Sequence, residues 1–156
     1  MIRELGRPGD LGWVIQAHGE TYADEYGFDT RFEALVARIV AEYAAGHDPG
    51  RENAWIAEAG GERAGCVFCV RDGAEAVLRV LLVTAAARGL GLGGALVDTC
   101  VAFARRAGYR RMRLWTTDPL VAARRIYLAR GFRLVESAPH DGFGVAVVGQ
   151  TYVLDL

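Results

Sequence analysis

A glycine-rich turn, Arg88-Gly89-Leu90-Gly91-Leu92-Gly93-Gly94, is the segment of this chain that most directly indicates chemistry. It joins a largely apolar run, Val77 to Val83, to an amphipathic helical pattern. Glycine leaves backbone N–H groups uncovered by side chains, and the dipole of a following helix adds positive potential at the same point. The sequence therefore predicts a main-chain site for a phosphate or diphosphate.

The turn also fits two other interpretations. Gly89-x-Gly91-x-x-Gly94 satisfies the dinucleotide fingerprint of a nicotinamide oxidoreductase, but that fingerprint should open a doubly wound domain with an acidic residue about 20 positions later. Here the next strand ends in Leu114-Trp115-Thr116, and too little chain remains for such a domain. A connector without a ligand is the other interpretation, although so many glycines carry an entropic cost that a mere connector would avoid.

A second motif contains a tyrosine that could act as a general acid. Tyr127 lies in Ala123-x-x-x-Tyr127-x-x-x-Gly131-Phe132, within a helical pattern that ends at the glycine. A phenol with a pKa of about 10 is suited to protonate a departing thiolate. Taken alone, Tyr127 is better explained as a core aromatic, so the acid role depends on its combination with the turn upstream.

Composition removes several classes of function. All 18 basic residues are arginine, so the chain has neither a Walker lysine nor a Schiff-base lysine. A net charge of −1 predicts no nucleic-acid partner and no membrane-surface partner. The N-terminal residues lack the apolar core of a signal peptide, and no window approaches about 18 uncharged apolar residues, which predicts a cytoplasmic protein.

The potential metal ligands do not cluster along the chain. The histidines are widely separated: His18, His47 and His140. Cys66 and Cys69 fall in a strand-like run, Ala64 to Val70, where positions three apart point to opposite faces. With Cys100 they are expected to be buried free thiols, and no metal site is expected.

The pattern of elements predicts one mixed α/β domain over residues 1–156. A strand (Ile2 to Leu5) is followed by a helix that Asp10 could cap and that reaches about Asp24, and then by a second helix from Thr30 to Ala45. The further predicted elements are strands Ala54 to Ala59, Ala64 to Val70 and Ala76 to Thr84, a helix from Leu92 to Gly108, strand Arg111 to Thr116, helix Val121 to Ala129, and strands Phe132 to Ser137 and Val145 to Leu154.

The two motifs and this order of elements resemble the GNAT superfamily of N-acetyltransferases over nearly the whole chain. The resemblance rests on Val80-Leu81-Leu82-Val83, on Arg88-x-x-Gly91-x-Gly93 and on the Tyr127 helix. It implies the GNAT fold, a mixed, mostly antiparallel central sheet of about seven strands flanked by four helices. It also implies acetyl-CoA as co-substrate, with no metal.

The resemblance assigns roles to particular residues. The backbone of Leu81, Leu82 and Val83 would bind the pantetheine arm. The residues expected around the pyrophosphate are Arg88, Gly89, Leu90, Gly91, Leu92, Gly93 and Gly94. Tyr127 would protonate the coenzyme thiolate. The family often has asparagine seven residues before this tyrosine, whereas this chain has Leu120, so one coenzyme contact differs.

The implied reaction is direct attack of an amine on the thioester, with a backbone N–H near the strand end stabilising the oxyanion. An alkylamine of pKa about 10.4 must first lose a proton. Glu25 is the first candidate for the base, although a solvated helix end explains this residue equally well. Tyr22, Tyr26 and Trp115 are expected to line the acceptor site, and Trp115 could equally be a core residue.

The N-terminal segments narrow the resemblance to the acetyltransferase halves of MarR-type regulator fusions. The residues that carry it include Asp10-Leu11-Gly12-Trp13-Val14 and Glu25-Tyr26-Gly27. No winged-helix half is present in the sequence, so DNA binding is not expected. The alternative function is a non-catalytic sensor of GNAT fold that binds acyl-CoA. The sequence leaves open whether the acceptor is a small-molecule or a peptide amine, and whether the protein is a monomer or a homodimer.

Overall fold

Seven strands form one mixed sheet in the order β1-β2-β3-β4-β5-β7-β6, in a computed structural model that describes all 156 residues. The strands are β1 (Ile2–Glu4), β2 (Asn53–Ala59), β3 (Glu62–Asp72), β4 (Glu75–Val83), β5 (Arg111–Thr117), β6 (Arg133–His140) and β7 (Val147–Asp155). The helices are α1 (Asp10–Tyr26), α2 (Thr30–Gly46), α3 (Leu92–Arg106) and α4 (Val121–Ala129). The predicted GNAT-type α/β fold is confirmed, and a short 3₁₀ helix, Ala85–Ala87, is added before the glycine-rich turn.

Local sequence explains most of these boundaries. The Asp29 side chain accepts a hydrogen bond from the backbone N–H of Arg31 at 3.0 Å and so caps α2. Glycines with positive φ occupy the β2–β3 and β3–β4 hairpins, at Gly60, Gly61 and Gly73. Strands β2, β3 and β4 pair antiparallel, as the turn residues indicated.

Asp10 does not cap α1, which corrects the sequence-based expectation. Its carboxylate is fully buried and accepts two hydrogen bonds from Arg3 at 2.9 Å and one from Arg63 at 2.8 Å. It also accepts the backbone N–H groups of Gly6 and Arg7, both at 2.9 Å. The residue therefore ties β1 and β3 to the start of α1 instead of binding the helix's own N–H groups.

Two apolar cores lie on opposite faces of the sheet. One packs α3 and α4 against the sheet through residues such as Leu96, Cys100 and Tyr127. The other packs α1 and α2 against it through Val14 and Val36, among others. The cysteines are free and buried, with Cys66 in the α1–α2 core and Cys69 in the α3–α4 core, so they face opposite sides of β3 as the strand spacing predicted.

The sheet opens between its two central parallel strands. β4 and β5 are paired only at Ala76 with Met112 and at Val77 with Arg113. Beyond Val77 the strands separate, so the β4 edge that faces β5 has no strand partner there. Val80 lies where β4 bulges opposite β3, and its φ is 48°. This φ is strained for a β-branched residue, and both bulges and backbone strain are frequent next to functional sites.

Candidate functional site

The split between β4 and β5 leads into two neighbouring cavities. The first, which we call the loop cleft, encloses about 490 Å³ between the end of β4, the glycine-rich turn, α1 and α4. Nine of the residues predicted to bind the coenzyme line it: Leu81, Leu82, Val83, Arg88, Gly89, Gly91, Leu92, Gly93 and Gly94. The predicted residue Leu90 does not line the cleft, and it is 65 % exposed.

The turn offers a row of unused backbone donors. The N–H groups from Gly89 to Gly94 donate no hydrogen bond within the protein, and the first N–H bonded in α3 is that of Ala95, to the Gly91 carbonyl at 3.1 Å. Gly91 has φ of 76° and directly precedes α3, a conformation that side-chain-bearing residues rarely adopt. Free N–H groups at a helix N-terminus fit a diphosphate.

At two positions of the turn, Gly93 and Gly94, the structure shows what a larger side chain would meet, which the sequence did not reveal. A Cβ at Gly93 would lie 2.8 Å from the Ile126 side chain, and one at Gly94 would collide with the guanidinium of Arg130. Ile126 belongs to α4, so Gly93 allows α3 and α4 to approach closely, whereas the Arg130 side chain, just after α4, is flexible and could move aside at Gly94. Gly93 therefore serves helix packing as well as exposing its N–H group to the cleft.

The second cavity, which we call the aromatic cavity, lies on the α1–α2 side of the split and encloses about 140 Å³. Aromatic side chains form much of its wall: Tyr22, Phe28, Phe32, Trp115, Tyr127 and Phe143. They pack on one another, with Tyr22 stacked on Phe32 at 4.7 Å between ring centroids. Tyr22, Leu81 and Leu120 line both cavities, so the two are adjacent and share a wall formed by these residues.

Tyr127 projects from α4 into the bottom of the split. Its ring is 4 % exposed and packs on Phe132 and Tyr152, so the core-aromatic interpretation describes its ring correctly. Its hydroxyl has no hydrogen-bond partner within the protein and the residue lines the aromatic cavity. Burial raises the pKa of Tyr127 above its ordinary value, so the phenol is protonated at physiological pH and has a proton to donate.

The three residues predicted to contact the acceptor are placed differently from one another. Trp115 lines the aromatic cavity and is 45 % exposed, so it is not a core residue. Tyr22 lies between the cavities, and its hydroxyl donates to the Leu81 carbonyl at 3.4 Å, bracing their common wall. Tyr26 lines the loop cleft alone, which differs from the expected acceptor position.

Glu25 faces the loop cleft and not the aromatic cavity. Its carboxylate holds Arg88 in a two-point ion pair, with Nη1 2.5 Å from Oε1 and Nη2 donating to Oε2 at 2.7 Å. Both carboxylate oxygens are thus engaged by the guanidinium of Arg88. Sequence reasoning missed the pair because 63 positions separate the two residues.

His18 is buried in the wall of the aromatic cavity. Its Nδ1 donates to the Val14 carbonyl at 2.8 Å, while Nε2 has no partner. Burial lowers the pKa of His18 to about 4, and the bond to Val14 offsets this only in part. His18 is therefore neutral near pH 7.

This buried histidine predicts acid sensitivity. Because the folded-state pKa lies below the unfolded value, stability is complete above about pH 6.5 and falls as the pH drops towards 4. We expect the free energy of unfolding to decrease by about 2 kcal/mol between pH 7 and pH 5. Urea titrations at both values measure it, and His18→Phe should flatten the dependence. Equal stability of the wild type at both pH values would contradict the assignment.

Sequence reasoning missed Arg79, which lines the aromatic cavity. The only available signal was an arginine interrupting the apolar run from Val77 to Val83. No three His, Cys, Asp or Glu side chains come together in a group that could hold a metal ion. None of the helices combines the length and the apolar character needed to cross a membrane.

Comparison with known proteins agrees with this architecture. Residues 15–132 match the model of the acetyltransferase (GNAT) family. No match to the sequence is found among curated proteins.

Solved structures similar to this chain come from several bacteria. A ribosomal-protein-alanine N-acetyltransferase from Brucella melitensis has a TM-score of 0.79 at 16 % identity, with 100 % of this chain and 99 % of that one covered. A GNAT-family acetyltransferase from Staphylococcus aureus Mu50 also scores 0.79, at 19 % identity and 100 % and 98 % coverage. The Salmonella typhimurium protein yncA, solved with its cofactor acetyl-CoA, scores 0.76 at 19 % identity, covering 100 % and 93 %. At such identities the likeness establishes the fold alone.

Proposed function

This chain belongs to the acetyltransferase (GNAT) family, and from that membership we propose that it moves an acetyl group from acetyl-CoA to the nitrogen of a primary amine. The observation that carries the proposal is the common wall of Tyr22, Leu81 and Leu120, through which the loop cleft meets the aromatic cavity. The coenzyme would occupy the cleft and the amine the cavity. Their reacting groups would then meet beside Tyr127.

The donor side of the site is suited to acetyl-CoA. The free N–H groups from Gly89 to Gly94 would bind its diphosphate, and the unpaired edge of β4 from Leu81 to Val83 would bind its amide-bearing arm. When bound, acetyl-CoA supplies an activated thioester. The hydroxyl of Tyr127 would donate its proton to the leaving sulfur, a role that fits a phenol held neutral by burial.

We propose Glu25 as the group that takes the amine's proton; because Glu25 lines the loop cleft and not the aromatic cavity, the amine would have to reach it past the common wall. Arg88 must first release the carboxylate, because it holds both oxygens. A diphosphate in the turn is an anion that could compete for this guanidinium. Binding of the donor would then free Glu25 at the edge of the cleft.

A thiol-release assay tests the function. Purified protein is mixed with acetyl-CoA and a panel of small amines, amino acids and peptides with N-terminal alanine, and products are identified by mass. We expect acetylation of at least one nitrogen. Binding of acetyl-CoA with no thiol release for any acceptor would favour the acyl-CoA sensor, and stabilisation by NAD instead of coenzyme A would favour an oxidoreductase.

Gly91→Val tests the turn directly. A side chain at positive φ strains the backbone and misdirects the N–H groups, so we expect the Kd for acetyl-CoA to rise about 10- to 100-fold by calorimetry. Gly73→Val is the matched control, because Gly73 has φ of 61° in the hairpin at the far end of β4. The control should lose comparable stability and keep its affinity. Unchanged affinity in Gly91→Val would refute the diphosphate site.

Further parts of the proposal rest on sequence alone. We propose a single domain over residues 1–156, a cytoplasmic location, and an acceptor that is a small-molecule or peptide amine. From the N-terminal motifs we also propose kinship with the acetyltransferase halves of MarR-type fusions. Sedimentation measurements would test whether the protein is a monomer or a homodimer.

A further inference from the structure

The aromatic cavity has one cationic side chain without a partner. Of its lining residues only Arg79 and Arg113 carry charge at neutral pH, and none is acidic. Arg113 is neutralised outside the cavity by Asp72, with which it forms an ion pair, and by Glu75, with Nε 4.0 Å from Oε1. Arg79 forms no hydrogen bond or ion pair, although Glu42 and Asp72 lie near enough to favour its charge.

The surroundings of Arg79 make it unfavourable for its guanidinium to remain unpaired. The residue is half-buried on the side of β4 that faces α2, and burial, followed by the charge of Arg113, lowers the pKa of Arg79 from its ordinary value. Its guanidinium nevertheless remains charged at physiological pH. A partly desolvated cation without a counter-ion is stabilised when an anion enters, and the planar fork of arginine matches a carboxylate.

The rest of the wall defines what accompanies that anion. Fourteen of the 19 lining residues are hydrophobic, and Phe28, Phe32 and Phe143 form a continuous cluster with centroids 5.1 to 5.2 Å apart. Such a surface binds an aryl or branched aliphatic group and offers nothing to a second charge. The cavity thus combines an apolar wall with a single site for an anion.

Strand β4 carries both Arg79, the candidate anion site, and Leu81, where the two cavities share a wall. Arg79 precedes Leu81 by two residues, so their backbones are separated by roughly 7 Å at most. A simple alkylammonium ion would meet the positive potential of Arg79, whereas a carboxylate on the same molecule would compensate for it.

On the proposed function, we infer that the acceptor is an amino acid or similar amino carboxylate with an apolar body, its carboxylate bound by Arg79. The apolar body would lie against Phe28, Phe32 and Phe143. The amine would then face the common wall at Leu81.

Matched acceptors test this assignment. L-phenylalanine, L-phenylalaninamide and phenethylamine share one aromatic body, and only the first has a carboxylate. With rates compared at equal concentrations of uncharged amine, kcat/KM should be about 10- to 100-fold higher for the acid than for the amide. Equal values for acid and amide, or turnover only of alanine-terminated peptides, would overturn the inference.

Arg79→Gln should remove the preference for the acid, by raising the KM for the acid about 10- to 100-fold and the KM for the amide far less. Arg79→Lys, which keeps the charge and loses the fork, should retain part of the preference. Arg38→Gln is the matched control, since Arg38 is exposed on α2 and makes no ion pair. An equal loss with acid and amide in Arg79→Gln would indicate a merely structural role.

A binding measurement separates this inference from the proposed function. 3-Phenylpropionate has the carboxylate and the ring but no amine, so it should raise the Tm of the wild type in the presence of coenzyme A, and not that of Arg79→Gln. Such stabilisation without acetylation of any amine would refute the acetyltransferase function and leave the carboxylate site standing. If amines were acetylated, 3-phenylpropionate gave no increase in Tm, and the acid and the amide reacted equally well, the carboxylate site would be refuted and the acetyltransferase function would stand.

Discussion

Tyr127→Phe should lower kcat by about 100- to 10,000-fold, because it removes only the hydroxyl proposed to protonate the leaving sulfur. The ring packs on Phe132 and Tyr152, and phenylalanine preserves these contacts. The hydroxyl has no protein partner that the change would leave unsatisfied. Folding and affinity for acetyl-CoA should therefore be maintained.

Tyr152→Phe is the matched control for this experiment. Tyr152 is 2 % exposed in the same core, and its hydroxyl donates to the Gln150 side chain at 3.4 Å. This variant should keep its kcat within about threefold, since it removes a comparable buried hydroxyl away from the cavities. Steady-state thiol release with any accepted amine compares the two. If Tyr127→Phe turned over at the wild-type rate, the phenol would not be the acid.

Asp10→Ala should destabilise the protein by about 3–5 kcal/mol, a large part of the roughly 5–15 kcal/mol typical of a domain. The substitution leaves Arg3 and Arg63 without their buried counter-ion and frees the N–H groups of Gly6 and Arg7. These groups join β1 and β3 to the start of α1. The loss should therefore be global, and denaturant unfolding measures it.

One variant separates charge from geometry at Asp10, and a second, at an exposed ion pair elsewhere, is the control. Asp10→Asn keeps an acceptor for Gly6 and Arg7 and should cost less than alanine. Asp98→Asn breaks an exposed ion pair with Arg130 and should change stability by less than about 1 kcal/mol. Near-wild-type stability of Asp10→Ala would show that water replaces the carboxylate without loss.

Acid should reproduce the effect of the substitution at Asp10. The neighbouring arginines hold the pKa of this carboxyl well below its ordinary 3.8, so its contribution is present above that value and is lost as the pH falls below it. The acid loss from His18 begins at higher pH. Two successive windows of destabilisation are expected in acid.

Much of the fold could be predicted because its signals are local. Helical periodicity identified α2 and α3, and the glycines of the hairpins marked the β2–β3–β4 meander. The opposite orientations of Cys66 and Cys69 followed from the twofold repeat of a strand. The role of Asp10 was misassigned because its partners, Arg3 on β1 and Arg63 on β3, lie outside its own helix.

The two halves of the candidate site differed in how far sequence could lead. The turn from Arg88 to Gly94 is a contiguous segment, so its free N–H groups follow from its own residues. The acceptor side is assembled from α1, α2, β4, β5, α4 and the loop that carries Phe143. Periodicity carries no information about which of these segments meet across the sheet.

The sequence by itself determined the order of elements, the glycine-rich turn and the presence of a tyrosine on the α4 pattern, since each depends on neighbours in the chain. Only the tertiary structure decided that Glu25 pairs with Arg88, that Tyr26 lies in the loop cleft and that Arg79 stands unpaired in an aromatic wall. The physical reason is the separation of β4 from β5 beyond Val77. Side chains that are distant in the sequence meet around this opening, and the packing of the whole sheet determines where the two strands separate.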